Sequence, residues 1–326
     1  MKTKERIRLI SVLIIGMILV SVSSCKKEKT LLPPELSTTP LSNITSTSFV
    51  SGGIIISDGG SVILARGICW GKDHDPTISG NVTIDGSGSG SFFSTVNGLT
   101  SGTDYFIRAY ATNVAGTSYG NEFIFILPLT DNDGNIYNTI IIGSQVWMTV
   151  NLKTTKFNDD TPIPFVTDNL TWGALTSPAY CWYKNDGKNN KENYGALYNW
   201  FTVNTGKLCP SGWHVPGDAE WRILTDYLGG ESVASGKLKE TNLAHWMAPN
   251  TGASNEYGFT ARPGGYRTGL SDGSFHTMGY YGWWWAGTQD NWSSGRARLM
   301  TFDAGEIESG AGLKKNGYSV RCIKDQ

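Results

Sequence analysis

The four histidines and five cysteines are where chemistry would be sought first, and their spacing offers little of it. His74, His214, His245 and His276 are scattered, with no HExxH and no other ligand spacing. His214, beside Trp213 and shortly before Pro216, reads most simply as a packed or hydrogen-bonded residue. No Gly-x-Ser-x-Gly elbow and no phosphate-binding loop occurs. Asp131-Asn132-Asp133-Gly134-Asn135 has the look of a calcium loop, but Ile142 stands where a calcium-binding helical loop places its twelfth-position acid. A tight turn leading into a strand is the better reading. The residues therefore lead us to expect no catalytic group, no metal ligand and no cofactor.

Aromatic residues are the stronger pointer. Trp283-Trp284-Trp285, Tyr280-Tyr281, Trp246 and Trp292 could supply flat faces for sugar rings or for a partner's side chains. The competing use is core, since a domain with little regular structure is built on its tryptophans. In an alternating strand Trp284 points opposite to Trp283 and Trp285, which predicts that at least one of the three is partly exposed.

The N-terminus orders Lys2, Lys4, Arg6 and Arg8 before an apolar run over 9–22, as a secretory leader does. That run is short of the roughly 20 residues a spanning helix needs. Val22-Ser23-Ser24-Cys25 resembles a bacterial lipobox, which implies cleavage after residue 24 and a lipid on Cys25; ordinary cleavage with a free thiol is the alternative. The expected partner is then a membrane, held through acyl chains, and the expected location is the cell envelope, as an outer-membrane lipoprotein. Lys26, Lys27 and Glu28 only partly resemble a surface-export signal, so the periplasmic face and the cell surface both stay open. The whole chain has 27 basic and 28 acidic residues; removing four basic and one acidic in the leader leaves 23 against 27, a net of −4. Such a balance does not suit a phosphate backbone, and no nucleic acid is expected.

From Lys26 to about Pro40 the chain is charged and then Pro-, Ser- and Thr-rich, and 25–33 reads as a tether. A seam follows at Leu127-Pro128: of the 12 tryptophans only Trp70 precedes it. Between these marks, 34–127 alternates short β-type runs with turn clusters. In 104–112, Tyr105, Ile107, Ala109 and Ala111 share one face, which with the turn spacing indicates an all-β sandwich. Leu99, Thr103, Tyr105, Ile107, Arg108, Ala111, Asn113 and Gly116 fall in the order of the closing strands of a fibronectin type III module, which this segment resembles. The resemblance implies a tyrosine corner at Leu99 and Tyr105. Arg66-Gly67-Ile68-Cys69-Trp70 is similar to the variant common in exported Bacteroidetes proteins. Such modules are mostly spacers or adhesive surfaces.

Beyond the seam, 136–142, the turn Gly143-Ser144 and 145–150 predict a hairpin. Tyr194, Leu197, Tyr198 and Phe201 predict a helix over 192–203. A second helix is expected after Pro216, capped by Asp218, striped by Trp221, Leu224 and Leu228, and stopped by Gly229-Gly230. With short Tyr- and Trp-rich strands ending at 318–324, the segment 128–326 reads as α+β.

The run Thr205-Gly206-Lys207-Leu208-Cys209-Pro210-Ser211-Gly212-Trp213-His214-Val215-Pro216, with Trp147-Met148, Tyr194-Gly195-Ala196-Leu197-Tyr198-Asn199-Trp200, Gly264-Gly265-Tyr266-Arg267 and Ser319-Val320-Arg321-Cys322, resembles the Fibrobacter succinogenes major paralogous domain. That resemblance spans nearly all of 128–326. It implies a C-type-lectin-like fold and carries no established activity. The same fold group holds the formylglycine-generating enzymes, whose Leu-Pro-Thr-x-x-Glu-Trp segment is echoed over 215–221. A copper oxidase of that kind would need a close thiol pair. The resemblance also implies a disulfide between Cys209 and Cys322, leaving Cys69 and Cys181 as buried thiols; pairing of Cys181 with either is the rival. The resulting expectation is a non-catalytic recognition or adhesion module for glycan or protein ligands, with an envelope enzyme as the alternative.

Overall fold

The computed structural model describes residues 30–326; the leader 1–24 and Cys25 lie outside the described residues. Eight strands build the first domain: β1 (Glu35–Ser42), β2 (Phe49–Ser57), β3 (Ala65–Gly71), β4 (Asn81–Val82), β5 (Gly90–Val96), β6 (Asp104–Asn113), β7 (Gly116–Tyr119) and β8 (Phe123–Ile126). They form two antiparallel sheets, β1-β2-β5 and β4-β3-β6-β7, with β8 also on β6. This is a β-sandwich with the strand order of a fibronectin type III-like module. The face of β6 that carries Tyr105, Ile107, Ala109 and Ala111 packs on Phe49, Ile55, Phe92 and Val96 from the opposite sheet, as its alternation predicts. Phe106 and Tyr110 on the other face are buried as well, because the loop ahead of β4 and Thr83 cover them: the His74 ring lies 3.9 Å from Phe106, and the Tyr110 hydroxyl donates to Thr83 O at 2.8 Å. At the corner, the Tyr105 hydroxyl accepts from the Thr100 N–H at 3.1 Å beside the buried Leu99.

The core changes hands within three residues. Leu127 closes the first core and Leu129 belongs to the second. Ser101 Oγ donates to Pro128 O at 2.9 Å and accepts from Thr130 N at 2.8 Å, so the connection is tied to the sandwich. Gly102 has φ +65, and a Cβ there would come within 2.8 Å of Leu129 and 2.9 Å of Trp213.

The second domain has strands β9 (Leu129–Thr130), β10 (Ile136–Tyr137), β11 (Thr139–Ile142), β12 (Gln145–Met148), β13 (Tyr180–Cys181), β14 (Leu197–Tyr198), β15 (Trp213–His214), β16 (Tyr266–Arg267), β17 (Phe275–His276), β18 (Tyr281–Gln289), β19 (Ser294–Thr301), β20 (Ile307–Leu313) and β21 (Ile323–Lys324). Its helices are α1 (Asn169–Ala174), α2 (Gly187–Tyr194), α3 (Trp200–Val203), α4 (Asp218–Tyr227) and α5 (Glu231–Leu238). One sheet runs β11-β12-β21-β15, so the C-terminal strand returns between the opening hairpin and the strand ahead of α4. A second runs β18-β19-β20.

The hairpin forms with the expected turn, Ile142 opposite Gln145 across Gly143 at φ +62, but its first strand is shorter than expected, since Ile136 and Tyr137 pair instead with Thr130 and Leu129. The single helix expected over 192–203 does not. Helix α2 ends at Tyr194, Gly195 turns the chain at φ +75, Leu197 and Tyr198 pair with Cys181 and Tyr180, and only then does α3 begin, capped by Asn199 Oδ1 on Thr202 N. Helix α4 forms where expected, but its cap is different. Glu220 Oε2 accepts the Gly217 N–H at 2.7 Å, while Asp218 sits inside the helix and pairs with Arg298 at 2.9 Å. Helix α5, with Ser232, Ser235 and Gly236 in its run, carries no apolar stripe to announce it.

Aromatic burial holds this domain together. Trp147, Trp172, Trp200, Trp221, Trp284 and Trp285 are all fully buried, and each such ring removes roughly 150–250 Å² from water. With many strands of two residues, that burial outweighs ladder length as a stabilising term. Two of the buried cations, Arg267 and Lys239, are satisfied by carbonyls and rings. Arg267 donates to Gly273 O, Val166 O and Thr167 O and lies 4.6 Å from the Trp172 ring and 4.8 Å from Phe275. Lys239 donates to Thr301 O and Ala304 O at 2.9 and 2.8 Å, and burial lowers its ammonium to about 8. Unpaired, such buried charges would cost several kcal/mol.

Candidate functional site

The sheet β18-β19-β20 lies between two cores, and this decides which tryptophans are available. Trp285 and Ala297 face the core that contains Tyr198, Trp200 and Tyr318; Trp284, Ala286 and Met300 face the one that contains Trp147, Trp221 and Trp246. Trp246, Trp284 and Trp285 are therefore 1 %, 0 % and 0 % exposed, which corrects the expectation that they meet a ligand. Their indole N–H groups are also occupied, donating to Ala261 O, Asn151 Oδ1 and Tyr198 O at 2.7–2.8 Å. Trp283 is half-buried, stacked on Tyr318 at 5.0 Å and 13°. Only Trp292 of the five stands free, at 87 % exposure.

The hairpin between β18 and β19 is built to hold it there. Asn291 Oδ1 accepts from Ser293 N at 2.9 Å, Ser293 Oγ at 3.0 Å and Ser294 N at 3.1 Å. Asp290 accepts from Ser294 Oγ at 3.0 Å and pairs with Arg296 at 3.1 Å. These bonds bracket residue 292 on both sides and fix the backbone from which the indole projects. Leaving so large a ring in water forgoes the few kcal/mol that burial gives a large apolar side chain.

A groove of 490 Å³ opens beside Trp292, lined by Phe201, Leu313, Thr176 and Ser293, with Lys314 and Lys315 on its rim. Its walls are anchored. Lys314 N donates to Ser293 O at 2.9 Å, and its ammonium reaches Gln289 Oε1 at 3.0 Å and lies 4.6 Å over the buried Trp200 ring. Lys315 Nζ donates to Gly173 O at 2.9 Å. An apolar floor, an exposed ring and a few fixed polar groups suit a ligand with one apolar face and a hydrogen-bonding edge. Sequence reasoning missed Phe201 and Leu313, whose positions depend on the α3 turn and the end of β20. Taking the aromatics together groups Trp292 with the buried tryptophans, and the turn-forming neighbours Asp290, Asn291, Ser293 and Ser294 are the signal that would have set it apart.

The remaining candidate chemistry resolves into structure. Cys209 and Cys322 form a disulfide, S–S 2.04 Å and Cα–Cα 6.0 Å, because β21 runs beside β15. Cys69 and Cys181 are buried free thiols, one in each domain, and burial pushes them up to about 11 and about 12. With Cys209 and Cys322 bonded, Cys181 is left as a lone free thiol in the second domain, with no second thiol beside it to form a copper-holding pair. Asp131 accepts from the N–H groups of Asp133 and Asn135 at 3.0 and 2.9 Å and from the Tyr137 hydroxyl at 2.6 Å, the tight turn expected there. Among the described residues no three His, Cys, Asp or Glu side chains gather as a metal-ligand set. His214 is hydrogen-bonded on both nitrogens, to Glu220 and Asp325.

No curated protein matches the chain. Among solved structures it is similar to the sensor domain of the anti-sigma factor RsgI4 in Pseudobacteroides cellulosolvens, at 20 % identity over 30 % of this chain and 97 % of that one, TM-score 0.23. It is also similar to the sixth fibronectin type III domain from human fibronectin type III domain containing protein 3, at 19 % identity over 31 % and 87 %, TM-score 0.22. The sandwich assignment rests on the strand order above. The Fibrobacter succinogenes major domain matches residues 140–324, more than half of the chain. The chain belongs to the Fibrobacter succinogenes major domain family.

Proposed function

We propose that this protein is an exported, lipid-anchored recognition module that binds a glycan through Trp292 and the groove beside it. The observation that carries the reading is the 87 % exposure of a tryptophan on a hairpin whose side chains are spent on holding it outward. A pyranose ring offers a C–H face to the indole and hydroxyls to Thr176, Ser293 and the lysines on the rim. The sandwich domain serves as a spacer between the anchor at Cys25 and this surface. We read the α+β second domain as C-type-lectin-like; the return of β21 beside β15 and the disulfide that pins it support that reading. The reading is tested by comparing the full chain with Trp292→Ala on an array of glycans, with melting followed in parallel. A folded variant that loses glycans bound by the parent supports it; a parent that binds no glycan overturns it in favour of a protein ligand.

A further inference from the structure

We infer that the first domain carries a saccharide pocket of its own, centred on Trp70 and independent of Trp292. A cavity of 740 Å³ opens there, within the range of small-ligand sites, and its lining includes Trp70, Lys72, Asp73, Asn81, Asn97 and Tyr105. Trp70 is the penultimate residue of β3, with its ring only partly buried against the sandwich core. Lys72, Asp73, Asn81 and Asn97 are exposed around it.

One wall is fixed by side-chain hydrogen bonds. Asp75 has φ 56, in the left-handed region that a non-glycine residue seldom enters. Arg108 fixes it, donating to Asp75 Oδ1 at 2.9 Å, to Asp75 O at 3.0 Å and to Pro76 O at 2.6 Å. Glu122 holds the neighbouring His74 at 2.8 Å. A loop pinned this thoroughly at the mouth of a cavity is a preorganised wall. The same loop also covers Phe106, whose ring lies 3.9 Å from His74, so the wall is anchored on the outer face of β6.

The chemistry of the lining selects the ligand class. One flat ring surrounded by amides, a carboxylate and an ammonium matches a ligand with a C–H face and a rim of hydroxyls. Asp73 and Lys72 offset each other, which favours a neutral saccharide over a uronic one. The carboxylates of Asp73 and Asp75 disfavour a nucleic acid strand.

The test uses the full chain carrying Trp292→Ala, so that the second-domain groove is removed from the measurement. It is titrated calorimetrically with three neutral hexasaccharides, of β-1,4-linked glucose, β-1,4-linked xylose and α-1,6-linked mannose. Binding of at least one is expected, weakened about tenfold when the exposed Asp73 and Asn97 are both replaced by alanine with melting unchanged, the effect of losing two or so hydrogen bonds. Trp70→Ala is a second arm, expected to abolish binding in a chain that still melts cooperatively. No binding of any of the three, or binding indifferent to the Asp73→Ala and Asn97→Ala pair, would overturn the inference while leaving the Trp292 reading intact.

Discussion

His214 Nε2 lies 2.8 Å from Glu220 Oε1 while His214 Nδ1 lies 2.6 Å from Asp325, so one imidazole clasps the first turn of α4 to the end of the chain. The hydrogen bond to Glu220 is the main cause that raises His214 to about 9, against burial, and Asp325 adds to it. Burial alone would raise the Glu220 carboxyl; the hydrogen bonds from His214 and from Gly217 N–H outweigh it and hold the group below its ordinary value.

A pH dependence follows with a definite sign. The folded pKa of His214 is above its unfolded value of 6.5, so its contribution is complete below 6.5 and is lost as pH rises toward about 9. The folded pKa of Glu220 is below its ordinary 4.5, so its contribution is complete above 4.5 and is lost as pH falls through the lowered value. The clasp is thus strongest between about 4.5 and 6.5. Because these side chains are partly exposed, the effect is modest. Denaturant unfolding of the parent and of His214→Gln should show their largest difference in that window, narrowing toward pH 9. A difference that grows from pH 6.5 to 9 would contradict the assignment.

The disulfide between Cys209 and Cys322 closes a separation of 113 residues. In the chain-entropy account such a loop is worth up to about 4.7 kcal/mol. Cys209→Ser with Cys322→Ser should lower the unfolding free energy of the second domain by about 2 to 5 kcal/mol while leaving the sandwich transition in place. Non-reducing peptide mapping should recover the 209–322 pair, and a linked peptide containing Cys181 would refute it.

Tyr105→Phe removes the acceptor that Thr100 N–H uses at 3.1 Å. The expected loss is about 0.5 to 1.5 kcal/mol from the first domain, the net value of one hydrogen bond. Unchanged urea unfolding of that domain would show that the hydroxyl contributes nothing to the corner.

The sequence makes some of these relationships visible and hides others for physical reasons. The alternation of Tyr105, Ile107, Ala109 and Ala111 is legible because β6 is a long regular strand with one face on a core. The apolar spacing of Tyr194, Leu197, Tyr198 and Phe201 mimics a helix, and only the left-handed turn at Gly195 with the pairing of β14 to β13 breaks it. Alternation also fails for Trp284 and Trp285: it separates them onto opposite faces, but it cannot tell that β18 is covered on both. The place of Cys322 beside Cys209 is set by β21 crossing between β12 and β15, a long-range pairing that no local pattern encodes. For Trp292 a local signal exists in its turn-forming neighbours Asp290, Asn291, Ser293 and Ser294, but counting aromatics together passes over it.

The most direct test of the central claim is the array comparison of the full chain with Trp292→Ala. The indole is 87 % exposed, so its removal should leave the melting temperature unchanged. The account predicts that at least one glycan bound by the parent is lost from the variant, with affinity down by tenfold or more, as stacked aromatic anchors at binding surfaces behave. A parent that binds no glycan, or a variant that keeps every glycan at parental affinity, would contradict it.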